Sequence, residues 1–200
     1  RFITQYSSPR ASLTSYLYTM LKVLHTTLEI EEEDIIESIN KLKKISKKIN
    51  STNLTHSNPS LNLAKWIKKI PLIYYPFGLE SVAIRFKNML QENVKIHAIA
   101  EDVLESSHNG IVAWERNSSI QPIIIRGKDD HNKTKERWSI FKEYFEKTNI
   151  DFKEIESVDG NIISKIINLI YLLDYSSIYL AIIMKTDPSP VKSIDFIKSR

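Results

Sequence analysis

Four side chains among the many ionisable ones in this sequence stand where they could move protons or steady a developing charge. Glu92 stands where a helical pattern ends and an apolar stretch begins, a place where a carboxylate opposes the helix dipole. That placement suits a base carried on a rigid element, and it suits an exposed helix-end glutamate as well. His108 follows Ser106-Ser107 and precedes Asn109 in a polar, irregular stretch. Its imidazole titrates near neutrality and could pass protons to or from an oxygen atom, or could be a loop histidine that binds nothing. Arg10 opens a predicted helix, where its charge gains nothing from the dipole. An arginine facing an anionic intermediate would explain it, and so would a surface arginine. Lys198 lies in a short C-terminal helix, a position typical of exposed lysine.

Other chemistries are absent from the residue inventory. There is no cysteine, which excludes disulfides, thiolate metal sites and cysteine nucleophiles. His25, His56, His97 and His131 have no metal-ligand spacing with His108 or with one another, so no metal is expected. Four glycines leave no room for a glycine-rich nucleotide loop, and no cofactor is expected.

The elements that must position these residues change character along the chain. Ser8-Pro9 is a helix entrance, a cap followed by proline in the first turn. Leu13, Leu17, Leu21, Leu24 and Leu28 then recur at helical spacing over 10–28, and Ile35, Ile39, Leu42, Ile45 and Ile49 do so over 31–49. A linker rich in Ser, Thr and Asn spans 50–59. After it, helix and strand alternate. Helices are predicted over 60–69, 79–91, 133–147 and 161–184, with a last one from about 189. Strands are predicted over 71–75, 95–99, 122–126 and 152–158. This alternation predicts an α/β fold, a doubly wound, mainly parallel sheet of four or five strands between helix layers. The N-terminal helices form an arm on it. The corresponding division is 1–57, a helical segment, and 58–200, the α/β domain. Ligands in such sheets sit beyond the carboxyl ends of the strands. The polar clusters 75–80, 92–95 and 101–115 are assigned to such points.

The 200 residues suffice for one ordinary domain with a real core. Hydrophobic residues at 42% and charged residues at 26% are the balance of a globular protein. A net charge of +4 invites a nucleic-acid reading. The basic run Lys41, Lys43, Lys44, Lys47 and Lys48, however, ends a helix that begins Glu31-Glu32-Glu33-Asp34. Acid at the start and base at the end complement the macrodipole without any partner, so no nucleic acid is expected. The most apolar stretch, 162–184, is interrupted by Ser164, Lys165, Asn168 and Asp174, so no membrane span is expected. The chain opens Phe2-Ile3 and then Gln5-Tyr6-Ser7-Ser8-Pro9, as though continuing from a strand, and reads as a fragment.

Taken together the clusters carry more weight. Arg85-Phe86-Lys87, Gln91-Glu92-Asn93-Val94-Lys95 and His108-Asn109-Gly110-Ile111-Val112-Ala113-Trp114 resemble segments of the bifunctional phosphoglucose/phosphomannose isomerases. So do Leu173-Asp174-Tyr175-Ser176-Ser177, Asp187-Pro188-Ser189-Pro190-Val191 and Ile194-Asp195-Phe196-Ile197-Lys198, in the same order. Pro9-Arg10-Ala11-Ser12-Leu13 is similar to the segment leaving that family's first sugar-isomerase (SIS) domain. The resemblance implies the C-terminal SIS domain of a cytoplasmic, dimeric enzyme that interconverts glucose or mannose 6-phosphate with fructose 6-phosphate through a cis-enediol. It implies Glu92 as the base over C1 and C2, and His108 as the ring-opening histidine donated across the dimer interface. Arg10 then steadies the enediolate and Lys198 assists ring opening. A fixed cation aimed at a developing enediolate is the stabilisation such a step needs.

Two departures stand out: the family's first domain, with its phosphate-binding turn, is missing, and Gly110 stands where Glu usually follows His-Asn. They keep a second reading open, a non-catalytic sugar-phosphate-binding or dimerisation module. No helix-turn-helix segment of the kind that accompanies SIS regulators is recognisable.

Overall fold

The structure, a computed structural model, describes residues 9–200; Ser8, the predicted helix cap, lies outside them. The described chain begins with a 3-10 turn, Pro9–Ser12, and continues as α1 (Leu13–Leu24) and α2 (Glu32–Ile49). Then follow α3 (Pro59–Trp66), β1 (Ile70–Tyr75), α4 (Glu80–Met89), a π-helical turn (Leu90–Val94), β2 (Ile99–Asp102) and α5 (Val103–Ser106). A second 3-10 segment, Gly110–Glu115, leads to β3 (Ile120–Arg126), α6 (Asn132–Lys147), β4 (Lys153–Glu156), α7 (Ile162–Ile183) and α8 (Lys192–Lys198).

The sheet has four strands in the order β2-β1-β3-β4, all parallel. Its central strands read as near-continuous apolar runs because both faces are covered. Alternation along them sorts the two cores. Ile73, Ile123 and Ile125 face a layer built with Leu63, Phe86, Leu90, Leu169 and Leu173. Leu72, Tyr74 and Ile124 face Trp138, Phe141 and Phe145 of α6, with Trp114. Pro122 sits inside β3, but β4 pairs only from Ile123 onward. One side of β3 is uncovered there, which is where a strand tolerates a residue without an N–H.

α7 is the core helix. It is long and apolar enough to cross a membrane by length and composition, yet it is mostly buried and packs against α2, α3 and α4. Asn58 caps α3 by accepting the Leu61 N–H at 3.0 Å, and it donates to the Tyr179 hydroxyl of α7 at 3.3 Å. Tyr179 in turn donates to the Ile49 carbonyl at 2.7 Å, so the end of α2, the start of α3 and α7 meet in one buried knot. The N-terminal helices are thereby held on the sheet domain: α2 lies along α7, and Tyr18 of α1 shares a hydrogen bond with Ser38 of α2 at 2.8 Å.

Several boundaries differ from the sequence reading, and two of them bear on the site. The first helix is shorter than 10–28, and Arg10 lies in the 3-10 turn before it. The second strand lies at Ile99–Asp102 rather than 95–99, because the π-helical turn consumes Leu90–Val94 and Lys95 ends it in the left-handed region, at φ 63°.

Candidate active site

Glu92 sits on the π-helical turn that extends α4. A π turn widens the helix by one residue, a distortion frequent at functional positions. Here it is anchored by the residues that follow Glu92. Asn93, almost fully buried, donates to Ser177 Oγ of α7 at 2.8 Å, and Lys95 folds its ammonium back onto the Glu92 carbonyl.

Arg10 reaches this turn from the other end of the described chain. Its Nη1 lies 3.4 Å from Glu92 Oε2, an ion pair in which the arginine side chain is 14% exposed and the glutamate 37%. Its Nη2 donates to the carbonyls of Pro188 and Ser189 at 2.8 and 2.9 Å. Lys95 donates to the next carbonyl, that of Pro190, at 2.7 Å. Two cations therefore clip the Asp187–Val191 loop onto the Glu92 turn. Asp187 shapes that loop by accepting the Ser189 N–H at 2.9 Å, and this hydrogen bonding holds its carboxyl below the usual range. The loop delivers α8, none of whose residues is buried, and with it Lys198. Arg10, Glu92 and Lys198 line one cavity of about 760 Å3, with Asn88, Ser189 and Val191 among its other walls.

Behind Arg10 stands a pair that the sequence reading quoted only as part of family segments. Arg85 Nε and Nη2 grip the Asp174 carboxylate at 3.1 and 2.6 Å, and Nη2 also donates to the Arg10 carbonyl at 2.9 Å. Burial raises the Asp174 carboxyl above the ordinary aspartate range, and pairing with Arg85 opposes that shift without cancelling it. The signal for this pair was available: an aspartate inside the most apolar helix must find a cation.

His108 is not in this cavity. It is exposed, in the turn after α5, with its main-chain N–H donating to the Glu105 carbonyl at 3.0 Å. The topology explains the separation. α4 starts beyond the carboxyl end of β1 and runs back, so Glu92 lies near the amino end of β2, whereas His108 follows its carboxyl end. The cluster 92–95 therefore does not sit at a strand's carboxyl end, contrary to the sequence reading, while 75–80 and the start of 101–115 do. At Gly110, a Cβ would come within 2.9 Å of both carboxylate oxygens of Glu101, at the end of β2. The glycine lets Glu101 lie against this loop; any larger residue would need that carboxylate to swing away. Among the described residues no three His, Asp or Glu side chains cluster as a metal site.

A parallel sheet between helix layers, with an arginine, a carboxylate and a lysine on one cavity, places the chain among the open, doubly wound α/β domains. Residues 56–200 match the bacterial phospho-glucose isomerase C-terminal SIS domain, and the chain belongs to that family. It is similar to the bifunctional phosphoglucose/phosphomannose isomerase of Caldicellulosiruptor bescii, at 30% identity over 96% of this chain and 59% of that protein. The enzyme of the same name from Thermoplasma acidophilum is 29% identical over 92% of this chain and 57% of its own length. The chain thus spans under three-fifths of the length of these relatives. Among solved structures, a glucose-6-phosphate isomerase like protein from Thermus thermophilus superposes with a TM-score of 0.74, at 17% identity over 93% of this chain and 63% of that one. The tagatose-6-phosphate ketose/aldose isomerase from Escherichia coli gives 0.61, at 11% identity over 88% and 51%. At these identities the structures establish the shared fold.

Proposed function

We propose that this chain is the C-terminal catalytic half of an aldose–ketose isomerase that interconverts glucose 6-phosphate or mannose 6-phosphate with fructose 6-phosphate. The observation that carries the reading is the convergence of Arg10, Glu92 and Lys198 on one cavity, with Arg10 and Glu92 3.4 Å apart. Proton transfer between C1 and C2 needs one base over both carbons, and Glu92 is placed on a braced helical turn to serve. The negative charge that develops on the enediolate oxygens falls to Arg10, whose guanidinium is already fixed by two carbonyls and so needs no reorganisation during the step. Lys198, on the same cavity, assists ring opening, in which the C1 hydroxyl gives up a proton and the ring oxygen gains one as the bond between C1 and the ring oxygen breaks. His108, beyond the opposite end of β2 in its own chain, completes the ring-opening pair from a second copy. The phosphate is held by the N-terminal half that the relatives possess.

The test is an isomerase assay of the full-length protein with both aldose phosphates, combined with subunit mixing. Glu92→Gln and His108→Ala homodimers should each be slow, and mixed dimers should recover up to about one site in two, because one site then has both groups. Absence of isomerisation by the full-length wild type would overturn the reading in favour of a binding module. Active wild type without recovery on mixing would overturn the donated histidine alone.

A further inference from the structure

One turn of α7 is tied to both sides of the Arg10–Glu92 gap. Arg10 lies in a four-residue 3-10 turn, an element too short to hold its own geometry. Its carbonyl is fixed by Arg85 Nη2 at 2.9 Å. Arg85 is itself fixed by the fork it makes on Asp174, where both carboxylate oxygens accept from Nε at 3.1 Å and one accepts from Nη2 at 2.6 Å. A fork on a carboxylate sets the plane of the guanidinium as well as its distance. On the other side, Asn93 next to Glu92 donates to Ser177 Oγ at 2.8 Å, and Ser177 donates to the Asp174 carbonyl at 2.7 Å. Asp174 does not itself line the cavity of Arg10, Glu92 and Lys198.

We propose that Asp174 is a positioning residue: acting through Arg85, it sets where Arg10 stands relative to Glu92, and so governs stabilisation of the enediolate. This rests on the functional reading above for the reaction it serves, although the mechanical link stands apart from it. Removing the Asp174 charge frees the Arg85 fork, and the Arg10 main chain loses its fixed partner. A displacement of about 1 Å at a reacting group is enough to cost on the order of 100-fold.

The experiment is a double-mutant cycle in the full-length protein, read well below the melting temperature of each variant. Asp174→Asn should lower kcat by about 10- to 100-fold with KM changed less than about threefold. In an Arg10→Ala background the same substitution should change kcat by less than about twofold, because the group it positions is gone. Equal losses in both backgrounds overturn the proposal. Arg85→Lys keeps a cation beside Asp174 but lacks the fork, and should show the same dependence on Arg10; it decides the matter if Asp174→Asn does not fold. If the wild type has no isomerase activity, the functional reading falls and the link is decided by 15N spectra of the arginine side chains. In the 200-residue chain, Asp174→Asn should then move the Nε signals of both Arg85 and Arg10. An Arg10 signal that stays in place overturns the link.

Discussion

Glu92→Gln separates chemistry from stability more cleanly than any other substitution in the site. Glutamine matches glutamate in size and can still accept from Arg10 Nη1, while the main-chain contacts of residue 92 with Arg10 and Lys95 are untouched. What is lost is one ion pair at 3.4 Å, with the glutamate more than a third exposed. Pairs of that exposure contribute about 0–1 kcal/mol. For a domain of this size that is a fall in Tm of at most roughly 2–4 °C. The loss of a general base is a far larger effect, about 10²–10⁴-fold in kcat with KM little changed. At 1.36 kcal/mol per decade this corresponds to roughly 3–5 kcal/mol of barrier. The measurement is steady-state isomerisation of glucose 6-phosphate by the full-length protein, alongside calorimetry of the same preparation. A variant with unimpaired turnover would refute Glu92 as the base. A variant that loses activity together with more than about 10 °C in Tm would refute the argument that the ion pair is structurally minor.

Other outcomes are expected on the same grounds. His108→Ala should slow turnover of cyclic substrate more than that of substrate presented open-chain, which rapid-mixing kinetics with each form can measure; equal losses would remove His108 from ring opening. Residues 1–200 alone should show no isomerase activity in a coupled assay, because remote binding energy from the phosphate would be missing. Glu154 carries a stability prediction. Despite a burial penalty, hydrogen bonds from Lys142 at 2.8 Å and Arg126 at 2.5 Å hold its carboxyl below the usual glutamate range. A carboxylate whose folded pKa is depressed contributes stability above the unfolded value, near 4.3, and loses it as pH falls through the folded value. Glu154→Gln should therefore cost about 1–3 kcal/mol at neutral pH, and denaturant titrations should show the gap closing below about pH 4.

Much of the fold was legible in the residues. Period-two and period-3.6 patterns are local, and wherever burial follows them the element appears. The apolar runs of β1 and β3, the amphipathic α2 and the apolar α7 all lie within a few residues of their predicted places. The parallel sheet follows from strands separated by helices, since a parallel partner needs a crossover. The candidate residues could be singled out as well, because Glu92, Arg10, His108 and Lys198 stand in segments that resemble the family's. Their spatial relation was not. The sequence reading put 92–95 at the carboxyl end of a strand, and only the direction in which α4 returns along the sheet moves Glu92 to the amino end of β2, away from His108 of the same chain.

The π turn at Leu90–Val94 was likewise invisible to periodicity. One extra residue in a helix is decided by what its side chains bond, here Asn93 on Ser177 some 84 residues on, and Lys95 on Pro190. The same holds for Asp174. As a residue type it announces a need for a cation, but that the cation is Arg85, and that Arg85 also holds Arg10, joins positions 75 and 89 residues apart. Local propensity and hydrophobic pattern are set by neighbours in the chain and can be read from it. Hydrogen bonds between distant side chains exist only once packing has brought their elements together, so tertiary structure alone decides which groups meet in the cavity.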